Sequence, residues 1–387
     1  MARNTLEAWL PEEPTSTVIT RLSQTSVAET SLKPQPMTTE TKSFPRSAGM
    51  GVEVIPKGGA YGEDESLNDS ILLTARKFGK ALRIAEEDID DSIADVLTTK
   101  KTDWVTSFGI LLDNAVFAVT AAENGGSVPF TSIYRALGQA NAATGYTAGA
   151  NMLTAGVAFG QVTFTDTGDI VTFATPHGLA VGDVVTFGTI TTTTGIVAGT
   201  KYYVRTVPST TTVTLSATKN GAVLALTTDG SAASAVAKPN VASYENISDL
   251  ASLVEEGGYH DASRALFVAH PSVKGKLRKL KDGEGNYIFT PNPRAGDPDT
   301  LFGYPLKWSN GLKTAATATS TPAGNALIVF GNTDFGYLGK RSGPESVVID
   351  GRSGLSALTD ETILKVRARR GFGVAHEKAW AVLEISA

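Results

Sequence analysis

Between Ala158 and Lys238 the chain carries little charge and is rich in Thr, Val, Gly and Ala, and this break in composition constrains the whole fold. The runs 161–164, 170–173, 183–187, 201–207, 212–217 and 222–226 are short and mostly β-branched. Such residues suit a pleated, half-buried surface. Pro176-His177-Gly178, Gly182-Asp183, Asn220-Gly221 and Asp229-Gly230 punctuate them, and Asn-Gly is a strong two-residue hairpin signal. The spacing predicts a small β-barrel or β-sandwich of about 80 residues. Mixed helix and strand patterns resume beyond it, so the module interrupts a larger unit.

Before the module, apolar residues at Ile89, Ile93, Val96, Trp104, Phe108, Leu111, Leu112, Ala115, Val116 and Val119 form a helical stripe with a slip near Lys100 and Lys101. Glu86, Glu87, Asp88, Asp90 and Asp91 suit the positive end of a helix dipole, and Asn124-Gly125-Gly126 is a stop signal. At about 1.5 Å per residue, a helix over 86–122 would be roughly 55 Å long, more than a compact core requires. Heptads are not sustained, so a helix spanning a flat plate is predicted in preference to a coiled coil. Upstream, the Thr-, Ser- and Pro-rich residues 1–46 predict an extended arm or, equally from composition, a disordered tail. Strand-like runs at 52–56 and 70–84 flank Lys57-Gly58-Gly59-Ala60-Tyr61-Gly62 and predict a long hairpin with a mobile tip. Its returning run carries Arg76, Lys77, Lys80 and Arg83 and leads into Glu86, Glu87 and Asp88, a basic and an acidic set suited to pairing between subunits.

After the module, helices are predicted at 244–256 and 271–281 and strands at 265–269, 326–330 and 346–349; a short helix at 131–142 precedes it. Residues 362–385 read as long strands, with Lys365, Arg367 and Arg369 on one face and Leu364, Val366 and Ala368 on the other.

Signatures of chemistry are missing from the sequence. G-x-S-x-G, H-E-x-x-H and G-x-x-x-x-G-K-[ST] do not occur, and the 387 residues include no Cys, which removes disulfides, thiolate metal sites and thiol catalysis. His177, His260, His270 and His376 lack ligand spacing and predict turn or surface roles. The acidic run at 86–91 lacks the glycine turn of a calcium loop, and Asp282-Gly283-Glu284-Gly285-Asn286 lacks a bidentate ligand at the right distance. No catalytic, metal or cofactor site is therefore predicted. A net charge of -5 argues against tight nucleic-acid binding. The basic row Lys365, Arg367, Arg369, Arg370 suits a neighbouring subunit at least as well as phosphate. No run approaches the roughly 18 apolar residues of a membrane-spanning helix.

The order of parts, arm, hairpin, long helix, mixed domain and closing strands, resembles the Hong Kong 97-type major capsid protein of tailed double-stranded DNA phages. Ala75-Arg76-Lys77-Phe78-Gly79-Lys80 with Arg83-Ile84-Ala85-Glu86-Glu87 is similar to that family's hairpin return strand and spine helix. Pro271-Ser272-Val273, Leu277 to Asp282 and Gly285-Asn286-Tyr287 resemble a helix and turn of its axial domain, and Leu301-Phe302-Gly303-Tyr304-Pro305-Leu306 its L-x-G-x-P-[VL] segment. Gly331-Asn332, Phe335-Gly336-Tyr337, Arg341-Ser342-Gly343 and Val366 to Val374 are similar to its closing strands.

The resemblance implies an α+β, Hong Kong 97-like capsid fold with an inserted small all-β domain. The parts are an N-terminal arm (1–48), an extended E-loop hairpin (49–84), a spine helix and peripheral domain (85–157), the insertion (158–238), an axial domain (239–345), and a peripheral loop with closing strands (346–387). It implies a shell of pentamers and hexamers around a phage genome, located in the virion capsid and assembled in the host cytoplasm. Scaffolding protein, portal and a decoration protein are the implied partners, with non-specific contact to packaged double-stranded DNA and no membrane. Lys57, Arg76, Lys77, Lys80, Arg83, Glu86, Glu87, Asp88, Arg367 and Arg369 are the candidate contacts between subunits. About fifty residues precede the hairpin, so a cleaved scaffold segment is not expected; residues 351–361 contain no Asn, so an isopeptide crosslink with Lys57 is not expected. An encapsulin-like nanocompartment shell and a β-rich tail protein or adhesin are the alternatives.

Overall fold

A computed structural model of the chain describes residues 25–47, 52–63, 68–90, 95–153, 157–192, 195–237, 242–281, 287, 289, 299–349 and 360–385. The first elements are α1 (Val27–Ser31), β1 (Lys33–Pro36), β2 (Thr41–Arg46), β3 (Asp69–Thr74), β4 (Arg76–Ala85), α2 (Glu86–Asp90), α3 (Val96–Phe117), α4 (Ile133–Leu137) and β5 (Met152–Leu153). The module contributes β6 (Val157–Phe159), β7 (Val162–Thr165), β8 (Ile170–Phe173), β9 (Val184–Phe187), β10 (Ile190–Thr191), β11 (Lys201–Thr206), β12 (Thr212–Ser216), β13 (Gly230–Ala232) and β14 (Ala235–Ala237). The chain closes with α5 (Tyr244–Glu255), β15 (Ala265–Ala269), α6 (Lys274–Leu277), β16 (Asp299–Leu301), β17 (Tyr304–Trp308), β18 (Ala326–Asn332), β19 (Gly336–Ile349), β20 (Glu361–Val374) and β21 (Trp380–Ile385).

A six-stranded sheet in the order β16-β17-β15-β18-β21-β5 holds the centre. β15 and β21 are buried along their whole length, because helices and loops cover both faces of this sheet. Ile247, Leu250 and Val254 of α5 pack on one face with Phe267 and Phe330; Leu112, Val116 and Phe117 of α3 pack on the other with Leu327 and Val329. The second sheet, β1-β19-β20-β4, joins the arm, the closing strands and the hairpin return. In β20 the exposed Lys365 and Arg367 alternate with buried Leu364, Val366 and Ala368, the period-2 pattern of a strand with one covered face.

The module is a nine-stranded, antiparallel sheet, β10-β13-β7-β8-β12-β11-β9-β14-β6. It encloses a core of its own, in which Phe164 meets Phe187 edge-on at 5.1 Å and Phe159 meets Phe173 at 4.8 Å. The expected strand at 222–226 is absent. Leu224 N–H donates to Leu215 O and Leu226 N–H to Asp169 Oδ1, so the segment is tied across its neighbours without forming a ladder.

Two other expectations are corrected. The run 52–56 is not a strand; β2, from the Pro-rich stretch assigned to the arm, is the partner of β3, in antiparallel register from Thr41 opposite Thr74 to Arg46 opposite Asp69. Phe44 fixes that placement, its ring 4.9 Å from Tyr337 of β19. The long helix is also not continuous over 86–122. Asp95 caps a new helix, accepting from Thr98 N–H at 3.0 Å and Thr98 Oγ1 at 2.6 Å, and α3 stops at Phe117 because Val119 and Thr120 turn to pair with Ala315. α3 is thus about 33 Å long at about 1.5 Å per residue. The pattern at 271–281 narrows to a 3-10 turn, Pro271–Val273, followed by α6.

Candidate functional site

The candidate contacts lie on the loop of the two-stranded ribbon β2–β3, on β4 and α2, and on β20. In the loop, Val52 is 99% exposed, Val54 98% and Tyr61 87%. Lys57 sits at the exposed turn between them, where Gly59 N–H donates to Pro56 O at 2.8 Å.

Charged latches fix the ribbon and arm to the body. Arg46, at the end of β2, forms an ion pair with Asp69 opposite it, donates to Ala375 O at 2.9 Å and lies 3.6 Å from Glu377. Glu377 in turn accepts from Asn141 and Thr144, so the base of the ribbon is tied to the loop after α4. The bond from Arg46 holds the Asp69 carboxyl below its ordinary range. Beside this cluster His376 stacks on Tyr259 at 3.8 Å, and its Nδ1 accepts from Lys378 N–H at 3.2 Å. Burial pushes the His376 imidazole down to about 4; Glu377 opposes that shift and Arg46 adds to it.

That depression has a sign that can be measured. The unfolded chain takes up a proton near pH 6.5 that folded His376 refuses until about 4. The folded state therefore loses stability as pH falls between those values, by an amount on the order of 2–3 kcal/mol for this residue. His270, also pushed down to about 4 by burial, adds to the slope. Urea unfolding of the subunit at pH 7, 5.5 and 4.5 is expected to show the decline, and His376→Asn, which keeps a side-chain acceptor for Lys378 N–H, is expected to remove roughly half of it. An unchanged slope in the variant would clear His376 of the effect.

The arm is held by a group that the sequence pattern did not single out. Asp113 of α3 is fully buried and accepts four hydrogen bonds: from Ser26 Oγ at 2.5 Å, Val27 N–H at 3.0 Å, Ala28 N–H at 2.9 Å and Ser309 Oγ at 2.6 Å. Burial pushes its carboxyl up, and the four donated bonds oppose that shift. Asp113-Asn114 within the apolar run from Phe108 to Phe117 was the available signal, since a buried polar pair must be met by donors and acceptors from elsewhere. Asn114 follows the same rule, donating to Gly311 O and Lys313 O. A second anchor joins Glu29 of α1 to the buried Arg370 of β20 at 2.6 Å, which removes Arg370 from the basic row expected to face outward.

Of the ten predicted contacts, Lys57, Lys77, Lys80, Arg83, Glu87, Asp88 and Arg367 are exposed. Three cations have partners within the chain: Arg76 with Glu123 at 2.8 Å, Arg83 with Glu361 at 3.3 Å and Arg367 with Glu345 at 2.8 Å. Glu86 accepts from Thr362 Oγ1, and Arg369 is half-buried opposite Ser342. The acidic set and the basic set therefore meet residues of β20 and its surroundings more than one another. Three histidines, His177, His270 and His376, each accept a backbone N–H two residues onward, and His260 Nε2 lies 3.1 Å from Tyr304 Oη. The loops 282–286 and 350–359 lie outside the described residues.

The model of the phage capsid family matches residues 178–385. No curated protein matches the chain. Among solved structures, one from Mycobacterium phage Bobi is 14% identical, with a TM-score of 0.59 over 100% of this chain and 98% of that one. The capsid of a native GTA particle is 17% identical, with a TM-score of 0.57 over 100% of both chains. A structure from Microbacterium phage Oxtober96 is 14% identical, with a TM-score of 0.55 over 100% and 98%. At these identities the likeness is one of fold.

Proposed function

The chain belongs to the phage capsid family, and from that membership we propose that it assembles as pentamers and hexamers of itself, each subunit laying its hairpin loop over a neighbour. It is a major capsid protein, a structural subunit of the shell, and its place is the virion capsid. The observation that supports the hairpin's role is the exposure of Val52, Val54 and Tyr61, which no part of the same chain covers among the described residues. Interfaces in obligate assemblies typically exceed about 2,000 Å², so a reaching loop is a physically economical way to bury enough surface. Lys57, Lys77, Lys80, Glu87 and Asp88 then steer and register the neighbour, while the strength comes from apolar contact.

Association is non-covalent in this proposal, since residues 351–361 offer no Asn to Lys57. Shell formation takes place in the host cytoplasm with a scaffolding protein and a portal, a decoration protein docks outside, and packaged double-stranded DNA is touched without sequence preference. The net charge of -5 suits a container that does not grip its contents.

Negative-stain electron microscopy of the chain, alone and with its scaffolding protein, tests the reading. Closed shells or ring-shaped capsomers are expected; small monomers under both conditions would remove it. Val52→Glu with Val54→Glu is expected to abolish closed shells while changing the stability of the free subunit by less than about 0.5 kcal/mol, as for other exposed positions. Normal shells from that variant would show that the loop is not the contact.

A further inference from the structure

The step Asn-Gly occurs three times, at Asn124-Gly125, Asn220-Gly221 and Asn310-Gly311. Glycine carries no Cβ, so its backbone nitrogen can approach the amide carbon of the asparagine before it and attack. That attack needs a side-chain amide free of other partners, a peptide free to rotate, and a nitrogen released from its own hydrogen bond. The three steps are alike in sequence and differ in these respects.

Asn124 is held at both ends of its amide: Oδ1 accepts from Gly126 N–H and Val128 N–H, each at 2.9 Å, and Nδ2 donates to Ser127 Oγ at 3.0 Å. At Asn310 it is the glycine that is locked. Gly311 N–H donates to Ser309 Oγ at 3.1 Å and Gly311 O accepts from Asn114 Nδ2 at 2.8 Å. Its backbone lies so close to α3 that a Cβ there would come within 2.6 Å of Ile110 O. Asn220 has neither restraint. It is exposed, and its amide meets no partner among the described residues. Its backbone holds φ at 61°, a left-handed conformation that asparagine tolerates, and a single turn bond closes it, from Gly221 N–H to Thr218 O at 2.9 Å. The next strand, β13, begins only at Gly230, so opening that bond disturbs no ladder.

We infer that Asn220 is a site of spontaneous modification, converting to aspartate and isoaspartate in the folded chain. Gly221 N forms a bond to Asn220 Cγ, the Cγ–Nδ2 bond breaks, and the side-chain nitrogen leaves as ammonia with the proton that Gly221 N gave up. Water then opens the cyclic imide. Cleavage at Cγ leaves aspartate; cleavage at the main-chain carbonyl leaves isoaspartate, whose main chain runs on through Cβ and Cγ. No oxidant, metal or second protein takes part. Either product places one more negative charge on a subunit whose net charge is -5. Isoaspartate also lengthens the backbone between β12 and the segment in which Leu224 N–H and Leu226 N–H bond to Leu215 O and Asp169 Oδ1. None of residues 218–221 belongs to the module's core, so the module stays folded while its charge and this link change. The modification goes beyond shell formation and does not depend on it.

Peptide mass spectrometry of the full chain tests this directly. Free subunits are aged at pH 6 and at pH 8.5, and the conversion of amide to acid is followed at all three steps, with isoaspartate separated from aspartate by chromatography. Acid at residue 220 is expected to accumulate at least tenfold faster than at 124 or 310, and faster at pH 8.5 than at pH 6, because the attacking nitrogen must lose its proton. The same chain unfolded in urea is expected to convert all three at similar rates, which shows that the fold and not the local sequence sets the order. Conversion at Asn124 or Asn310 as fast as at Asn220 in the folded chain would overturn the inference. So would an Asn220 that stays intact in the folded chain while the unfolded chain converts it, since the turn at 218–221 would then be a protecting one.

Discussion

Asp113→Ala is expected to lower the unfolding free energy of the subunit by about 3–5 kcal/mol, because it leaves four donors facing an empty space. Two of them are backbone N–H groups at the first turn of α1, which have no helical partner of their own. The other two, Ser26 and Ser309, are buried and come from opposite ends of the sequence, so one carboxylate joins the arm, α3 and the loop after β17. Asp113→Asn is expected to cost nearly as much, since its amide replaces one acceptor oxygen with a donor that meets other donors. Urea unfolding of the free subunit measures the loss, and limited proteolysis locates it: cleavage within residues 25–31 is expected to appear first. Glu29 on Arg370 would still hold the arm at one point, so arm release and global unfolding are expected at different denaturant concentrations. A variant within about 0.5 kcal/mol of the wild type would show that the clasp contributes no net stability.

How much of this was legible beforehand depends on what fixes each element. β8 and the core of β7, β9, β11 and β12 could be read because their β-branched residues and bounding turns act locally. β13, Gly-Ser-Ala, and β14, Ala-Val-Ala, could not: their small residues have little strand preference, and their place is set by the partners that bury Ala232 and Ala235. β2 was hidden by Pro45 and the charges of Lys42 and Arg46, since its pairing depends on Phe44 finding Tyr337 far along the chain. The helix break was not read because the apolar stripe runs on through Ile93 and Val96, although Asp95, beyond the acidic run, has the spacing to Thr98 of a cap. The candidate contacts divide in the same way. Charge type and alternation on β20 were readable, whereas the burial of Arg370 depended on Glu29, more than three hundred residues away in sequence.

The family resemblance supplied the capsid fold, and the physical reading of single residues supplied the alternation along β20. Neither reached Trp380, on which the second large effect rests. Trp380 is 1% exposed at the start of β21, packs edge-on to Phe117 of α3 and lies directly opposite Gly331 of β18. Gly331 is small for a reason that lies across the sheet: a Cβ there would run into the indole ring and come within 2.8 Å of Ala379 O. Trp380→Ala is expected to cost about 3–5 kcal/mol, the range for emptying a large buried aromatic site, and Trp380→Phe less, because a ring remains against Phe117. Gly331→Ala alone is expected to cost about 1–3 kcal/mol by overpacking. In the Trp380→Ala background the part of that cost that comes from the indole should vanish, leaving the smaller part set by the approach to Ala379 O. Thermal or urea unfolding of the two single variants and the double variant gives the coupling. Strict additivity would mean that the ring and the glycine are not one packing unit, and that the close approach of β18 to β21 has another cause.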